Sequence, residues 1–366
     1  MAGSTFGTAF RLTTFGESHG GGLGVIVDGC PSGLFLTEEM VQEYLDRRAP
    51  GKRSFATTRK EGDRVRILSG VFEGRTEGTP VAMLVENTDA RSGDYSALAH
   101  VFRPGHADYT YTEKYGFRDY RGGGRSSGRE TLGRVAGGAV AACFLKELGI
   151  TVTAYTLSIG EVKCDPASFD MAERDRNDLA MPDKGAAAKA GEYLKALQEK
   201  GDSAGGIIEC VIRSLPAGLG EPVFDKLDAE LSKAMLSIGA VKGFEAGDGF
   251  RAAENTGSAN NDGFYISEGQ VKKSTNHSGG VLGGISDGSE VIFRVAVKPT
   301  PSVSLPQKTV NDEGEETELI IGGRHDSVIV PRAVVVAECM AAAVTADMLL
   351  RNMGARLKDI RRFYGC

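Results

Sequence analysis

Two long apolar segments constrain the fold of this chain more than any other feature of its sequence. Residues 129–148 and 328–350 are rich in alanine and valine, and each carries only a few charged side chains. Both patterns predict helices, the first ending at Gly149 and the second beginning near Pro331. In residues 129–148 the apolar positions run almost all the way round the helix, which is typical of a buried helix. We therefore expect two central helices with other elements packed around them.

Residues 328–350 are the most apolar run of the chain, which raises the question of a membrane span. Arg332, Glu338 and Asp347 interrupt the run, and that pattern fits a buried helix in a large protein better than a span. The N-terminus has no basic stretch followed by an apolar one. A net charge of −6 argues against partners such as membranes and nucleic acids. We expect a cytoplasmic protein.

Shorter predicted elements surround the two helices. Thr37 is a candidate cap for a helix over residues 38–48, and further helices are expected near 183–200 and from Glu221-Pro222 onward. Strand patterns cover Val65–Phe72, Val81–Val85, residues 151–159, Gly206–Ile212 and Glu290–Val297. Residues 302–323 are predicted to form an exposed, acidic loop. No Pro- or Ser-rich linker divides the chain, so we expect one α+β domain over residues 1–366, with helices packed between antiparallel sheets.

The six cysteines are widely spaced and form no C-x-x-C pair. This spacing argues against a structural zinc site and against a disulfide framework, and no metal site is expected. Cys143 and Cys339 lie within the two apolar helices, where they are expected to pack as small core residues.

Arginine is concentrated in the N-terminal third of the chain. Residues 1–135 contain 15 Arg and 3 Lys, whereas residues 136–366 contain 11 Arg and 14 Lys. The planar guanidinium matches the geometry of carboxylates and phosphates, so the bias is consistent with recognition of an oxyanion. The same N-terminal stretch contains 17 Asp and Glu, so ordinary surface ion pairs are the alternative explanation.

The loop over residues 16–20, GESHG, matches the G-x-S-x-G pattern of serine hydrolases. In those enzymes the motif joins a strand to a helix, whereas a glycine-rich, strand-like segment follows it here. A loop that offers Ser18 and His19 to a ligand is the preferred interpretation, and a hydrolase using Ser18 is the alternative. Residues 103–108, RPGHAD, form a second loop with a histidine, in which His106 and Asp108 are a weak candidate for a metal pair.

Residues 118–129, RDYRGGGRSSGR, are the most informative segment. Three glycines free backbone N–H groups to point at an anion, and two hydroxyls and a helix N-terminus follow at once. Arg129 falls in the first helical turn, where the helix dipole disfavours a cation and where a bound anion would remove the conflict. Residues 322–332 repeat this arrangement before the second apolar helix, with Asp326 as a candidate proton acceptor or cap.

Together these motifs resemble those of the chorismate synthase family. The resemblance rests on residues 14–20, 46–51, 103–108, 124–131, 298–300 and 323–326, and it spans nearly the whole chain in the family's order. It implies a β-α-β sandwich, a homotetramer, and the last common step of the shikimate pathway to the aromatic amino acids. In that step a phospho-lyase converts 5-enolpyruvylshikimate 3-phosphate to chorismate by anti-1,4-elimination of phosphate. The implied cofactor is reduced FMN, with NADPH or a separate flavin reductase as candidate sources of its electrons.

The resemblance also implies roles for individual residues. The residues expected to contact the substrate are Ser18, His19, Arg48, Arg53, Arg103, Arg129 and Arg324. The residues expected to contact FMN are Arg125, Ser126, Ser127, Gly239, Ala240, Gly283, Lys298, Pro299, Thr300, Pro301, Ser302 and Arg324. The implied catalytic residues are His19 as proton donor to the departing phosphate, His106 at flavin N1, and Asp326 as support for a basic flavin N5.

Three features depart from the family's pattern. Pro301 stands where many members have Ser, Gly239 stands where Asn is frequent, and Leu132-Gly133 varies the helix start after Glu130-Thr131. A non-catalytic protein that binds a flavin or a phosphate is the alternative from another class of function.

Overall fold

The structure is a computed structural model that describes residues 3–49, 55, 62–87, 98–322 and 326–365. The strands are β1 Thr5–Phe6, β2 Arg11–Gly16, β3 Gly22–Asp28, β4 Val65–Ser69, β5 Val71–Phe72, β6 Arg75–Thr76, β7 Val81–Glu86, β8 Thr151–Ile159, β9 Val162–Lys163, β10 Gly206–Arg213, β11 Val241–Ala246, β12 Phe264–Ser267, β13 Gln270–Lys273, β14 Val281–Leu282, β15 Ile285–Ser286, β16 Val291–Val297, β17 Gln307–Val310 and β18 Glu316–Leu319. The α-helices are α1 Glu38–Arg48, α2 Asp108–Tyr115, α3 Thr131–Glu147, α4 Met171–Arg174, α5 Lys184–Glu199, α6 Leu227–Leu236, α7 Gly257–Asn260, α8 Val330–Asn352 and α9 Leu357–Tyr364.

Two five-stranded antiparallel sheets form the outer layers. The first sheet has the strand order β1-β2-β3-β7-β4, and the second has the order β11-β16-β10-β8-β9. Helix α3 packs on β2, β3 and β7 of the first sheet, while α8 packs on β8 and β10 of the second. The two helices also pack against each other. The expected α+β sandwich, with central helices between antiparallel sheets, is confirmed.

Helix α8 is long and apolar enough to cross a bilayer by composition, yet 83% of its apolar window is buried inside the protein. Its acidic residues have partners in the surrounding layers. Glu338 accepts hydrogen bonds from the Arg47 guanidinium in α1 at 2.6 and 3.0 Å and from the Ala154 N–H in β8. Asp347 accepts from the backbone N–H groups of residues 8–10. These buried carboxylates fix the neighbouring elements to the core helix.

Most predicted elements are present, and α1 is capped by Thr37 as expected. Two predictions are wrong. The helix expected from residues 221–222 begins at Leu227 instead, because Phe224 is 89% exposed whereas Leu227 is fully buried and its N–H donates to Gly284 O. Residues 302–323, predicted as a loop, contain the β17–β18 hairpin.

The two central helices approach each other closely at Gly138. A Cβ placed at this position would lie 2.4 Å from both the Cβ and the carbonyl oxygen of Cys339 in α8. Cys339 and Cys143 are buried free thiols, as expected from the sequence. Because Cys339 lies in the middle of a fully packed helix, it cannot move aside to admit a larger residue.

We predict that Gly138→Ala lowers the free energy of unfolding by roughly 1–3 kcal/mol, because the added methyl group forces α3 and α8 apart. The matched control is Gly191→Ala in α5, where the new Cβ would meet Phe55 Cζ at an ordinary 3.7 Å. That variant is expected to be as stable as the unaltered protein or more stable by up to about 1 kcal/mol, since alanine favours helix. Urea unfolding followed by circular dichroism measures both, and equal stability of the two variants would contradict the packing account.

Candidate active site

The N-terminal ends of α3 and α8 open into one cavity of about 1790 Å³. Its walls come from the turn between β2 and β3, the segments leading into α2 and α3, the turn after α6, and the segments that follow β16 and precede α8. A pocket for a single drug-sized ligand has a volume of about 300–1,000 Å³. The cavity is therefore large enough for two ligands of that size.

The cavity brings together most of the predicted site residues. Those that line it are Ser18, His19, Arg48, Arg103, His106, Arg125, Ser126, Ser127, Arg129, Gly239, Ala240, Lys298, Thr300, Pro301, Ser302 and Asp326. Pro299 and Gly283 are not among the lining residues, and Gly283 lies in the turn between β14 and β15. Arg53 and Arg324 lie outside the described residues.

His19 is held in the turn between β2 and β3. Its Nδ1 lies 3.2 Å from the hydroxyl of the buried Ser18, and that hydroxyl donates to the Gly122 carbonyl at 3.5 Å. Gly122 has a φ of +73°, and a Cβ there would lie 2.4 Å from His19 Cε1. The glycine-rich loop thus packs directly on the imidazole. Since this turn joins two antiparallel strands, it is not the strand-to-helix turn that the serine hydrolase alternative requires at Ser18.

His106 is held by both of its ring nitrogens. Nδ1 lies 3.0 Å from Pro104 O, and Nε2 lies 3.1 Å from Ser302 Oγ. Because a carbonyl oxygen only accepts, Nδ1 carries the proton and Nε2 accepts from the serine. Burial, followed by the positive charge of Arg103, lowers the pKa of His106 to about 4. The imidazole is therefore neutral at pH 7, and it can act as a proton donor only when a nearby negative charge raises its pKa.

Asp108 pairs with Arg103 rather than with His106. Its two oxygens accept from Arg103 Nε and Nη2, each at 2.8 Å. Burial would raise the pKa of Asp108, but the hydrogen bonds and charge of Arg103 outweigh it and lower the pKa. Among the residues that the structure describes, no group of three His, Cys, Asp or Glu side chains could hold a metal ion. Because Asp108 is engaged by Arg103, its carboxylate is not turned towards His106 as a metal pair would require.

A buried carboxylate that the sequence did not single out joins two of the predicted substrate arginines. Asp63 accepts from Arg48 Nη1 at 3.2 Å and from Arg129 Nη2 at 3.1 Å. The side chains of Asp63 and Arg48 are only 1% and 2% exposed. Burial, followed by the positive charge of Arg332, lowers the pKa of Arg48 to about 9. Positive charge is thus concentrated here around a single bridging carboxylate.

Arg332 stands in the first turn of α8 and holds Asp326. Its Nη1 donates to Asp326 Oδ2 at 2.6 Å, and its Nε donates to the Arg48 carbonyl at 3.1 Å. The sequence contained a signal for this residue, because a cation in a first helical turn conflicts with the helix dipole as it does at Arg129. Two helix N-termini and their arginines therefore meet at one cavity.

Another part of the cavity lining, formed by residues that follow β16, carries groups that suit a phosphorylated cofactor. Thr300 Oγ1 is buried at the cavity and has no hydrogen-bond partner among the described residues. Lys298 Nζ donates to Gly105 O at 2.6 Å, and burial, followed by the charge of Lys242, lowers the pKa of the Lys298 ammonium. Lys242 also lines the cavity. An anionic ligand here would accept a hydrogen bond from the Thr300 hydroxyl. It would also offset the repulsion between the Lys298 and Lys242 ammonium groups.

The guanidinium of Arg125 forms hydrogen bonds within the protein. It donates to the carbonyls of Gly16 and Thr14, each at 3.2 Å, and to Thr14 Oγ1 at 2.7 Å. Ser126 Oγ donates to the Gly123 carbonyl at 2.7 Å. Arg125 therefore braces the glycine-rich loop against β2.

Comparisons with known proteins agree with the geometry. The family model described as chorismate synthase matches residues 10–350. A chorismate synthase from Lachnospira eligens is 60% identical over 364 residues, which is 100% of both chains. One from Methanosarcina mazei is 53% identical and covers 96% of this chain and 97% of its own. A crystal structure of a chorismate synthase has a TM-score of 0.77 and 32% identity, covering 98% of this chain and 97% of that one.

We predict that Asp63→Asn destabilises the ligand-free protein by roughly 3 kcal/mol or more, because the Arg48 and Arg129 guanidinium groups lose their shared buried counter-charge. Inorganic phosphate should then raise the thermal midpoint of this variant more than that of the unaltered protein, since the anion can replace the lost charge. Asp225→Asn is the control, since Asp225 pairs with Arg351 at a half-exposed site outside the cavity. Equal responses of the two variants to phosphate would refute the role given to Asp63.

We predict that His106 makes the protein less stable as the pH falls from about 6.5 towards 4. In the unfolded chain His106 binds a proton with an ordinary histidine pKa of about 6.5. In the folded chain its pKa is about 4, so it stays neutral until the pH approaches that value. The free energy of unfolding therefore falls across this window. His106→Gln should lose less stability there, as measured by urea unfolding at pH 7 and pH 5. An NMR titration in which His106 protonates near pH 6.5 would contradict the prediction.

Proposed function

The chain belongs to the chorismate synthase family and is a lyase of aromatic amino-acid biosynthesis, and from that premise we propose how its residues act. The family's reaction is the anti-1,4-elimination of phosphate from 5-enolpyruvylshikimate 3-phosphate, which yields chorismate. The observation that carries the proposal is that one cavity is lined both by the histidine and arginine residues expected to meet the substrate and by residues expected to meet FMN.

The substrate carries a phosphate and two carboxylates, and we assign it to the end of the cavity that contains His19, Arg48 and Arg129. Guanidinium groups recognise such anions through paired hydrogen bonds. Arg103, held rigid by Asp108, contributes a further positive charge on the wall of the cavity. The positive ends of α3 and α8 add to this attraction.

We assign reduced FMN to the wall formed by Lys298, Thr300 and Ser302. The Thr300 hydroxyl, which has no partner among the described residues, and the lysine ammonium suit its phosphate and polar edge. Gly239 and Ala240 line the same cavity. When bound, reduced FMN supplies the electron that cleavage of the phosphate C–O bond requires. We propose that the reaction depends on the reduced form of this cofactor.

The residues of the chain move and hold protons during the elimination. His19 donates a proton to an oxygen of the departing phosphate, which neutralises charge that develops as the C–O bond breaks. His106 is neutral when the cavity holds no anion, and a bound anionic ring beside Nε2 would favour its protonated form. Asp326, fixed by Arg332, contributes a negative charge to the cavity lining. This charge would favour proton uptake by a basic nitrogen of a flavin bound beside it.

The remaining features follow from the resemblance and are also proposals. We infer that the chain is one domain, since its buried apolar residues form one cluster from Phe10 to Met348. We propose a cytoplasmic homotetramer with only small-molecule ligands, and exposed aromatics such as Phe224 and Phe250 are consistent with subunit contacts. The source of reduced flavin is either NADPH used by this chain or a separate reductase.

An anaerobic assay with reduced FMN tests the proposed function. The purified protein is expected to release inorganic phosphate from 5-enolpyruvylshikimate 3-phosphate and to form chorismate. Parallel assays, one with FMN reduced chemically by dithionite and one with oxidised FMN and NADPH, would show whether this chain reduces the flavin itself. A protein that binds FMN but shows no substrate-dependent release would instead be the non-catalytic binder.

We predict that His19→Ala and His106→Ala each lower turnover at least roughly tenfold, since each general acid or base contributes on the order of 10²–10⁴-fold. Both variants should retain the circular dichroism spectrum of the unaltered protein. His100→Ala is the control, because His100 is exposed and pairs with Asp312. Unchanged rates in either cavity variant would remove that histidine from the mechanism.

A further inference from the structure

Asn87 is the first residue after β7, and the register of the first sheet determines where it lies. Strand β7 pairs with β3 so that Glu86 stands opposite Gly22. Residue 87 therefore faces the turn that carries His19, and its backbone N–H donates to Gly21 O at 3.2 Å.

The side-chain amide of Asn87 connects that turn to a guanidinium group. Its Nδ2 donates to the carbonyls of Glu17 and Gly20, each at 2.8 Å. Its Oδ1 accepts from Arg129 Nη2 at 2.9 Å. Carbonyl oxygens only accept and guanidinium groups only donate, so these three partners determine the orientation of the amide.

The two carbonyls bracket Ser18 and His19 in the chain. Within the turn, the Gly20 N–H donates to Glu17 O at a long 3.3 Å. Both N–H groups of the Asn87 side-chain amide thus bind the segment that carries the His19 imidazole. On the other side, Arg129 is fixed by Asp63. Asn87 therefore links the Arg129 guanidinium to the two carbonyls that flank Ser18 and His19 in the turn.

We propose that Asn87 is a positioning residue for proton transfer by His19. It holds the turn between β2 and β3 at a fixed place relative to Arg129, so that the imidazole faces a phosphate bound at that guanidinium. This inference rests on the proposed function and adds a residue to it. A displacement of about 1 Å at a reacting group can lower a rate by roughly 100-fold, so loss of this link should act mainly on turnover.

A double-mutant cycle tests whether Asn87 acts through His19. Asn87→Ala is made in the unaltered protein and in His19→Ala, and phosphate release with reduced FMN is measured anaerobically over a range of substrate concentrations. In the unaltered background kcat should fall at least roughly tenfold, while KM changes much less, because Arg129 retains Asp63. In the His19→Ala background the same substitution should cause no further loss of kcat, because the group that it positions is already absent.

Asn177→Ala is the matched control for the structural effect of losing an asparagine. The Nδ2 of Asn177 also donates to two backbone carbonyls, those of Glu173 and Met181, at 2.7 and 2.8 Å, but Asn177 does not line the cavity at His19. This variant should lose thermal stability without a change in kcat in either background.

Two results would overturn the inference. One is an Asn87→Ala protein with the kcat of the unaltered chain. The other is an equal fold loss in both backgrounds, which would show that Asn87 acts apart from His19. If Asn87→Ala does not fold, Asn87→Asp replaces it in the same cycle, since it keeps the acceptor for Arg129 and removes both N–H donors. An unaltered chain that releases no phosphate would instead refute the proposed function itself.

Discussion

The packing of α3 against α8 is the contact on which the site depends. Gly138 allows the two helices to approach within the space that a side chain would otherwise fill, and the two sheets cover the pair on either side. Both helices begin at the same cavity, so their positive ends converge there. Arg129 and Arg332 add full charges at those ends, where a helix by itself favours anions.

This concentration of positive charge is held in the ligand-free protein by carboxylates. Asp63 bridges Arg48 and Arg129, and Asp326 pairs with Arg332. Preorganised groups of this kind need little rearrangement when charge develops during a reaction. The neutral His106, which also lines the cavity, has the opposite character, because burial and neighbouring cations disfavour its protonated form. The cavity thus combines preorganised arginine groups that can bind an anion with a neutral histidine, His106. This histidine gains a proton, and so can act as an acid, only when an anion lies beside it.

The sequence predicted the parts of the fold that depend on local pattern. The all-round apolar character of residues 129–148 and the long apolar run over residues 328–350 indicated the central helices, and Thr37 indicated the start of α1. The start of α6 was misplaced because a proline at a first helical position is a local preference, whereas burial of Leu227 decides where the helix can pack. The polar β17–β18 hairpin lacks the apolar alternation that marks a strand.

The candidate site was predictable where its residues lie in glycine-rich motifs, as at His19, His106 and Arg129. Asp63 and Asn87 were missed because their partners are distant in the chain: Asn87 meets Arg129 and Glu17 only through sheet register. Arg332 carried the same signal as Arg129, a cation at a helix start, and that signal could have identified it.

An experimental structure with bound 5-enolpyruvylshikimate 3-phosphate and oxidised FMN tests the central claim most directly. The account predicts that the substrate phosphate lies within hydrogen-bond distance of His19 and Arg129, with the FMN phosphate near Lys298 and Thr300. A substrate phosphate bound at Lys298 and Lys242, or either ligand bound outside this cavity, would contradict it.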